Sequence, residues 1–114
     1  MSYYPPVVVQ PRTHRTYHKT YTKDPDAVMP YTINWEPYIQ HGDTITSATS
    51  TAYVDGLSTT TTAITVASTS TTGLTTTTVL SGGVSDANYD IKVHVVTTNG
   101  YEDERTIRVR VRQK

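Results

Sequence analysis

Tyr31, Ile33 and Trp35 alternate with Thr32 and Asn34, the period of two expected of a strand with one buried face. Trp35, the chain's single tryptophan, is the residue expected at the centre of the core. Tyr89, Ile91, Val93 and Val95 share one face of a second alternating run, and Ile107, Val109 and Val111 share the matching face of a third. Asn99-Gly100 stands between them, and an Asn-Gly pair between two alternating runs predicts a hairpin. In the threonine-rich middle, Ile45, Ala52, Val54, Ile64, Val66, Val79 and Leu80 recur between turn signals at Asp55-Gly56, Thr72-Gly73 and Gly82-Gly83. Short strands at this spacing predict an all-β domain over residues 29–114, an immunoglobulin-like antiparallel β-sandwich. Tyr89 falls near the start of its strand, where a tyrosine hydroxyl would close a corner of such a fold.

Residues 1–28 precede this domain; residues 1–23 of them show neither period beyond the short run Val7-Val8-Val9, and Pro5, Pro6 and Pro11 interrupt them. Such a segment cannot bury enough apolar surface to fold alone. It is expected to be an extended N-terminal arm and linker, with Asp24-Pro25-Asp26 as a solvated turn that sets the arm's exit angle.

Composition sharpens this picture. The 114 residues leave room for one domain. Threonine supplies about a fifth of them, and nine tyrosines stand beside one tryptophan and no phenylalanine, a mixture suited to pleated sheet rather than helix. Without cysteine there is neither a disulfide framework nor a thiolate metal site. No apolar run reaches the length of about 18 residues that a membrane helix needs, and no signal-peptide pattern opens the chain. The protein is therefore expected to be made and used in solution, without a membrane partner.

The charges sum to zero but are sorted along the chain. Residues 1–23 hold Arg12, Arg15, Lys19 and Lys23 and no acid, whereas residues 24–91 hold Asp24, Asp26, Glu36, Asp43, Asp55, Asp86 and Asp90 and neither lysine nor arginine. In the arm, basic residues interleave with Tyr17 and Tyr21, a pattern suited either to phosphate and base stacking or to docking on an acidic protein surface, and the small number of charges favours the protein surface. Tyr3 and Tyr4 are candidate anchors, and Val7, Val8 and Val9 could add a strand to a partner's sheet edge. The partner-binding set read from the arm is thus Tyr3, Tyr4, Val7, Val8, Val9, Arg12, Arg15, Tyr17 and Tyr21. On the last strand Arg108, Arg110 and Arg112 would stand about 7 Å apart opposite the apolar face. They read either as charge protecting an edge strand or as a basic stripe for an acidic partner. Glu102, Asp103 and Glu104 precede the stripe and the middle of the domain is acidic, so nucleic acid is not an expected partner.

No pattern for catalysis emerges. A glycine-flanked nucleophile, a phosphate loop and HExxH spacing are all missing from the sequence. His14 and His18 have metal-pair spacing only on a helix, which Pro11 and their threonine and tyrosine neighbours disfavour. No catalytic residue, cofactor or metal is expected.

Lys23-Asp24-Pro25-Asp26-Ala27, Tyr31-Thr32-Ile33-Asn34-Trp35, Asp43-Thr44-Ile45, Leu80-Ser81-Gly82-Gly83 and Asp103-Glu104-Arg105-Thr106-Ile107-Arg108-Val109 occur in that order. Over residues 23–112 this succession resembles the fiber-tail adaptor proteins of tailed bacteriophages. The resemblance implies a structural virion protein that links a receptor-binding fiber to the tail, with other tail, neck or fiber proteins as partners and copies arranged in a symmetric homo-oligomer. Two other roles fit the same sequence features: a capsid decoration or cement protein, and a carbohydrate- or cell-surface-binding module using Tyr38, Tyr53 and Tyr101.

Overall fold

A computed structural model describes residues 17–54 and 59–113, with residues 17–19 described by their backbone alone. The strands are β1 (Tyr17–Lys23), β2 (Val28–Asn34), β3 (Ile45–Val54), β4 (Thr59–Thr60), β5 (Ile64–Thr72), β6 (Thr75–Gly82), β7 (Asn88–Thr97) and β8 (Glu102–Val111). One sheet runs in the order β1-β8-β7-β3-β4 and the other in the order β2-β6-β5. The two face each other as an all-β sandwich, as the alternating runs predict.

The core follows the period of two. Tyr31, Ile33 and Trp35 are buried at one end of β2, and Ile91, Val93, Val95, Ile107, Val109 and Val111 line the facing sheet. Cross-strand pairs bring Tyr89 opposite Val109 and Ile91 opposite Ile107. Each fully buried side chain of this size contributes about 1.5–3 kcal/mol. Trp35 is fully buried, and its indole Nε1 donates to Thr76 Oγ1 at 2.9 Å. The threonine runs therefore serve the core as well as the surface. Thr76 and Thr78 of β6 point inward, and Ser50 on β3 bonds Thr78 at 2.9 Å and accepts from Thr69 Oγ1 of β5 at 3.0 Å, tying the two sheets together with hydroxyls.

The turn signals at Thr72-Gly73, Gly82-Gly83 and Asn99-Gly100 all fall at strand ends. Asp55-Gly56 lies outside the described residues. Gly83 adopts φ 103°, and a Cβ there would meet Val111 Cγ2 at 2.7 Å, so only glycine lets the β6–β7 connection lie against β8. Nearby, the Tyr89 hydroxyl accepts from the Val84 backbone N–H at 3.0 Å, the upstream bond expected of a tyrosine at this corner.

Three expectations need correction. Residues 17–23, assigned to the arm, form β1, and residues 24–27 form the turn that leads into β2 at Val28. The sandwich is not wholly antiparallel, because β1 pairs with β8 in parallel, with Thr20 opposite Arg108 and Lys23 opposite Val111. The last strand is consequently an inner strand rather than an edge. The cause is local: Thr20, Tyr21 and Thr22 are strand formers, and the inward position at the end of β1 is filled by a lysine that masks the apolar alternation.

Candidate partner-docking surfaces

β1 is the element from which residues 1–16 depart, so its attachment to the sandwich comes first. Lys23 is 1% exposed. Its Nζ donates to the carbonyl oxygens of Gly82 at 2.7 Å and Asp24 at 2.9 Å, while its own carbonyl accepts from the Arg112 N–H at 2.9 Å. Burial pushes the Lys23 amine below its ordinary value, opposed by the nearby Asp24 and Asp26 carboxylates. Tyr21 packs its ring 4.7 Å from that of Tyr31 across to the second sheet. The turn behind Lys23 is closed by Asp24 Oδ1, which accepts from the Asp26 N–H at 2.8 Å, the local bond that favours aspartate in turns.

The outer face of the five-stranded sheet is a charged lattice. Asp90 is fully buried although it points away from the core, and Arg108 Nε bonds its Oδ1 at 3.1 Å from the facing position on β8. Farther along, His94 is held between two carboxylates, with Nε2 2.8 Å from Glu102 Oε1 and Nδ1 3.0 Å from Glu104 Oε2. Two such contacts require both ring nitrogens to donate, the imidazolium form. The hydrogen bond to Glu104 is the main cause holding the His94 pKa above its usual value; burial opposes it and Glu102 adds to it. Lys92 approaches Glu104 at 3.9 Å and lies over the Tyr53 ring.

The end of the sandwich where β1 begins is acidic and carries a recess lined by Tyr38, Asp43, Thr97, Tyr101, Glu102 and Asp103, among others. It lies where β2 gives way to a short 3-10 turn at Glu36–Tyr38 that leads toward β3. The inner face of β8 changes there from valine and isoleucine to Arg105 and Asp103. Arg105 stacks 4.0 Å from the centre of the Tyr38 ring and bonds Asp103 Oδ1 at 3.1 Å. Asp43 is 4% exposed. Its Oδ1 accepts from the backbone N–H groups of Thr44 at 2.9 Å and Asn99 at 3.2 Å, tying the two loops together, whereas its buried Oδ2 has no hydrogen-bond partner among the described residues.

The residues singled out in the sequence separate on this framework. Arg108 is engaged by Asp90, Arg110 is exposed, and Arg112 bonds the Val111 carbonyl at 2.9 Å with Asp86 3.9 Å away. The three arginines thus differ in their surroundings. Tyr21 belongs to the sandwich, and Tyr17 pairs through its backbone with Thr106. Tyr3, Tyr4, Val7, Val8, Val9, Arg12 and Arg15 lie outside the described residues. Tyr38 and Tyr101 line one recess, and Tyr53 stands apart beside Lys92. Sequence reading missed Lys23, Asp43 and the His94 clamp as structural centres. Alternation of Glu102, Glu104 and His94 on paired strands was the available signal for the last.

Comparison with known protein families matches residues 23–110 to the podophage GP4 fiber-tail adaptor protein gp77 family. The chain belongs to this family. No curated protein matches it. The family segment begins at Lys23 and runs to the end region of β8, so it takes in β2 to β7 and leaves nearly all of β1 and the preceding arm outside. Membership makes this adaptor-family protein a structural component of the virion. Among the described residues, no group of carboxylates and imidazoles is arranged to hold a metal, and no helix is long and apolar enough to cross a membrane.

Proposed function

We propose that the protein is the joint between tail fiber and tail, with the sandwich as a rigid body and residues 1–16 as the segment that docks on a neighbouring virion subunit. The match to the fiber-tail adaptor family over residues 23–110 carries this reading. The distribution of charge supports the second half of it. The arm holds Arg12 and Arg15 and no acid, so it favours an acidic protein surface at short range and loses that preference as salt rises. Tyr3 and Tyr4 provide rigid apolar contact area, and Val7, Val8 and Val9 provide a strand for edge addition.

The attachment of β1 fits the same role. A docking arm transmits load to the body that bears it, and the buried Lys23 bonds with the Tyr21–Tyr31 contact fasten β1 to both sheets. Partners are other structural proteins of the particle, and copies arranged in a closed ring would present several arms at once.

Deleting residues 1–16 in the phage tests this. The expected result is a folded adaptor that no longer incorporates, with particles that lack fibers. Normal incorporation of the truncated protein and normal fiber content would overturn the docking role of the arm.

A further inference from the structure

We infer that β5 is an interface along which two copies of the chain meet, antiparallel and centred on Ser70, joining their three-stranded sheets into one sheet of six. The contact lies outside the arm and goes beyond the role of fiber–tail joint.

The first observation is where the charges are. β2, β5 and β6 contain no aspartate, glutamate, lysine or arginine, whereas Asp90, Lys92, Glu102, Glu104, Arg108 and Arg110 stand on β7 and β8. About a quarter to a third of surface residues are ordinarily charged. On β5 the exposed positions are instead hydroxyls, Thr65, Ser68, Ser70 and Thr72 among them. A strand of this kind loses no ion solvation when another neutral strand covers it.

The second observation is the edge itself. The two sheets end in four strands, β1, β4, β2 and β5. β4 is two residues long, β2 contains Pro30, and β1 contains Lys19 and Lys23. Shortness, proline and lysine are the devices that keep an edge from pairing. β5 has nine residues, none of them charged and none a proline. Among the described residues it pairs with β6 alone. β3 approaches it through side chains, Thr69 Oγ1 donating to Ser50 Oγ at 3.0 Å. The register shift of β5 lies between Val66 and Ser68, which leaves residues 68–72 as a regular stretch whose alternate N–H and C=O groups turn to the open side.

A second β5 is the occupant these residues fit. Proline on β2 and lysine on β1 set the chain's other long edges against it, and a charged edge would repel its own copy, whereas two neutral β5 strands meet without repulsion. The fold already uses this chemistry. Residues 68–72 pair antiparallel with β6, Ser70 facing Thr77 and Thr72 facing Thr75, and hydroxyl pairs of this type favour the ladder. Pairing about Ser70 sets Ser68 of each copy opposite Thr72 of the other.

Sedimentation of the full chain tests the contact. The wild type is expected to show a concentration-dependent monomer–dimer equilibrium. It should persist in about 1 M salt, where screening acts over about 3 Å, because no charge holds the two copies together. Ser70→Lys is expected to give monomer with the Trp35 fluorescence of the folded state intact. Ser68→Lys plus Thr72→Asp, which sets opposite charges across each end pair, is expected to dimerise and to become salt-sensitive. The sequence has no cysteine, so Ser70→Cys gives a single thiol per chain. It should oxidise to a disulfide dimer, since directly opposite residues have Cβ atoms about 4.5–5.5 Å apart, whereas Thr32→Cys on β2 should not. A wild type that is monomeric at every attainable concentration would overturn the proposal. So would a dimer that survives Ser70→Lys, which places the contact on another surface, or one that dissociates in salt, which places it on the charged arm. Incorporation into particles reads the fiber–tail role separately, so that role stands or falls without the dimer.

Discussion

Lys23 Nζ donates to the Gly82 carbonyl at 2.7 Å, joining the end of β1 to the last residue of β6 through a buried cation held by backbone oxygens. This contact explains how a strand at the edge of one sheet is fastened to the other sheet. Substituting Lys23→Met keeps the aliphatic stem but strands the carbonyl acceptors, a loss of about 1–3 kcal/mol per unsatisfied group. Urea unfolding followed by Trp35 fluorescence is expected to show a destabilisation of that order. An unchanged midpoint would mean that the Lys23 hydrogen bonds add nothing to the fold.

The Asp90–Arg108 pair predicts an asymmetry between single and double substitution. Asp90 is fully buried, and removing the guanidinium leaves its charge inside, which costs about 3–5 kcal/mol. Arg108→Met is therefore expected to destabilise more than the combination of Asp90→Asn with Arg108→Met, by thermal unfolding at neutral pH. Equal losses in the two proteins would show that the buried charge is not the source of the cost.

His94 gives the fold a dependence on pH. Its pKa is raised in the folded state by Glu104 and Glu102 above the reference value of 6.5, so the folded protein binds the proton more tightly than the unfolded chain. The associated stability is fully present below the unfolded pKa and is lost as pH rises through the folded one. The stability difference between wild type and His94→Gln is expected to be larger at about pH 5.5 than at about pH 8, on either side of the ordinary histidine range. A difference that stays constant across that interval would rule out the charged clamp.

The sandwich was legible because the strands at 31–35, 89–95 and 107–111 carry strict alternation, and one face of each is buried. β1 was not legible. Its inward position near the end is Lys23, and a lysine in the core cancels the apolar signal that marks a strand. Its parallel partner is also more than eighty residues away in sequence, beyond the reach of any hairpin rule. Spacing likewise places Arg108 on the outer face but cannot show that Asp90 stands opposite it. Asp43 gave no signal as a recess carboxylate, because the contact that defines it joins two loops through Asn99.

The most direct measurement of the central claim is a cryo-electron microscopy reconstruction of the intact particle at a resolution that distinguishes a two-sheet sandwich. The account predicts sandwich density at the junction of fiber and tail, with density preceding β1 continuing onto a neighbouring subunit. Sandwich density spread over the head shell, with none at the junction, would contradict it and assign the protein to capsid decoration.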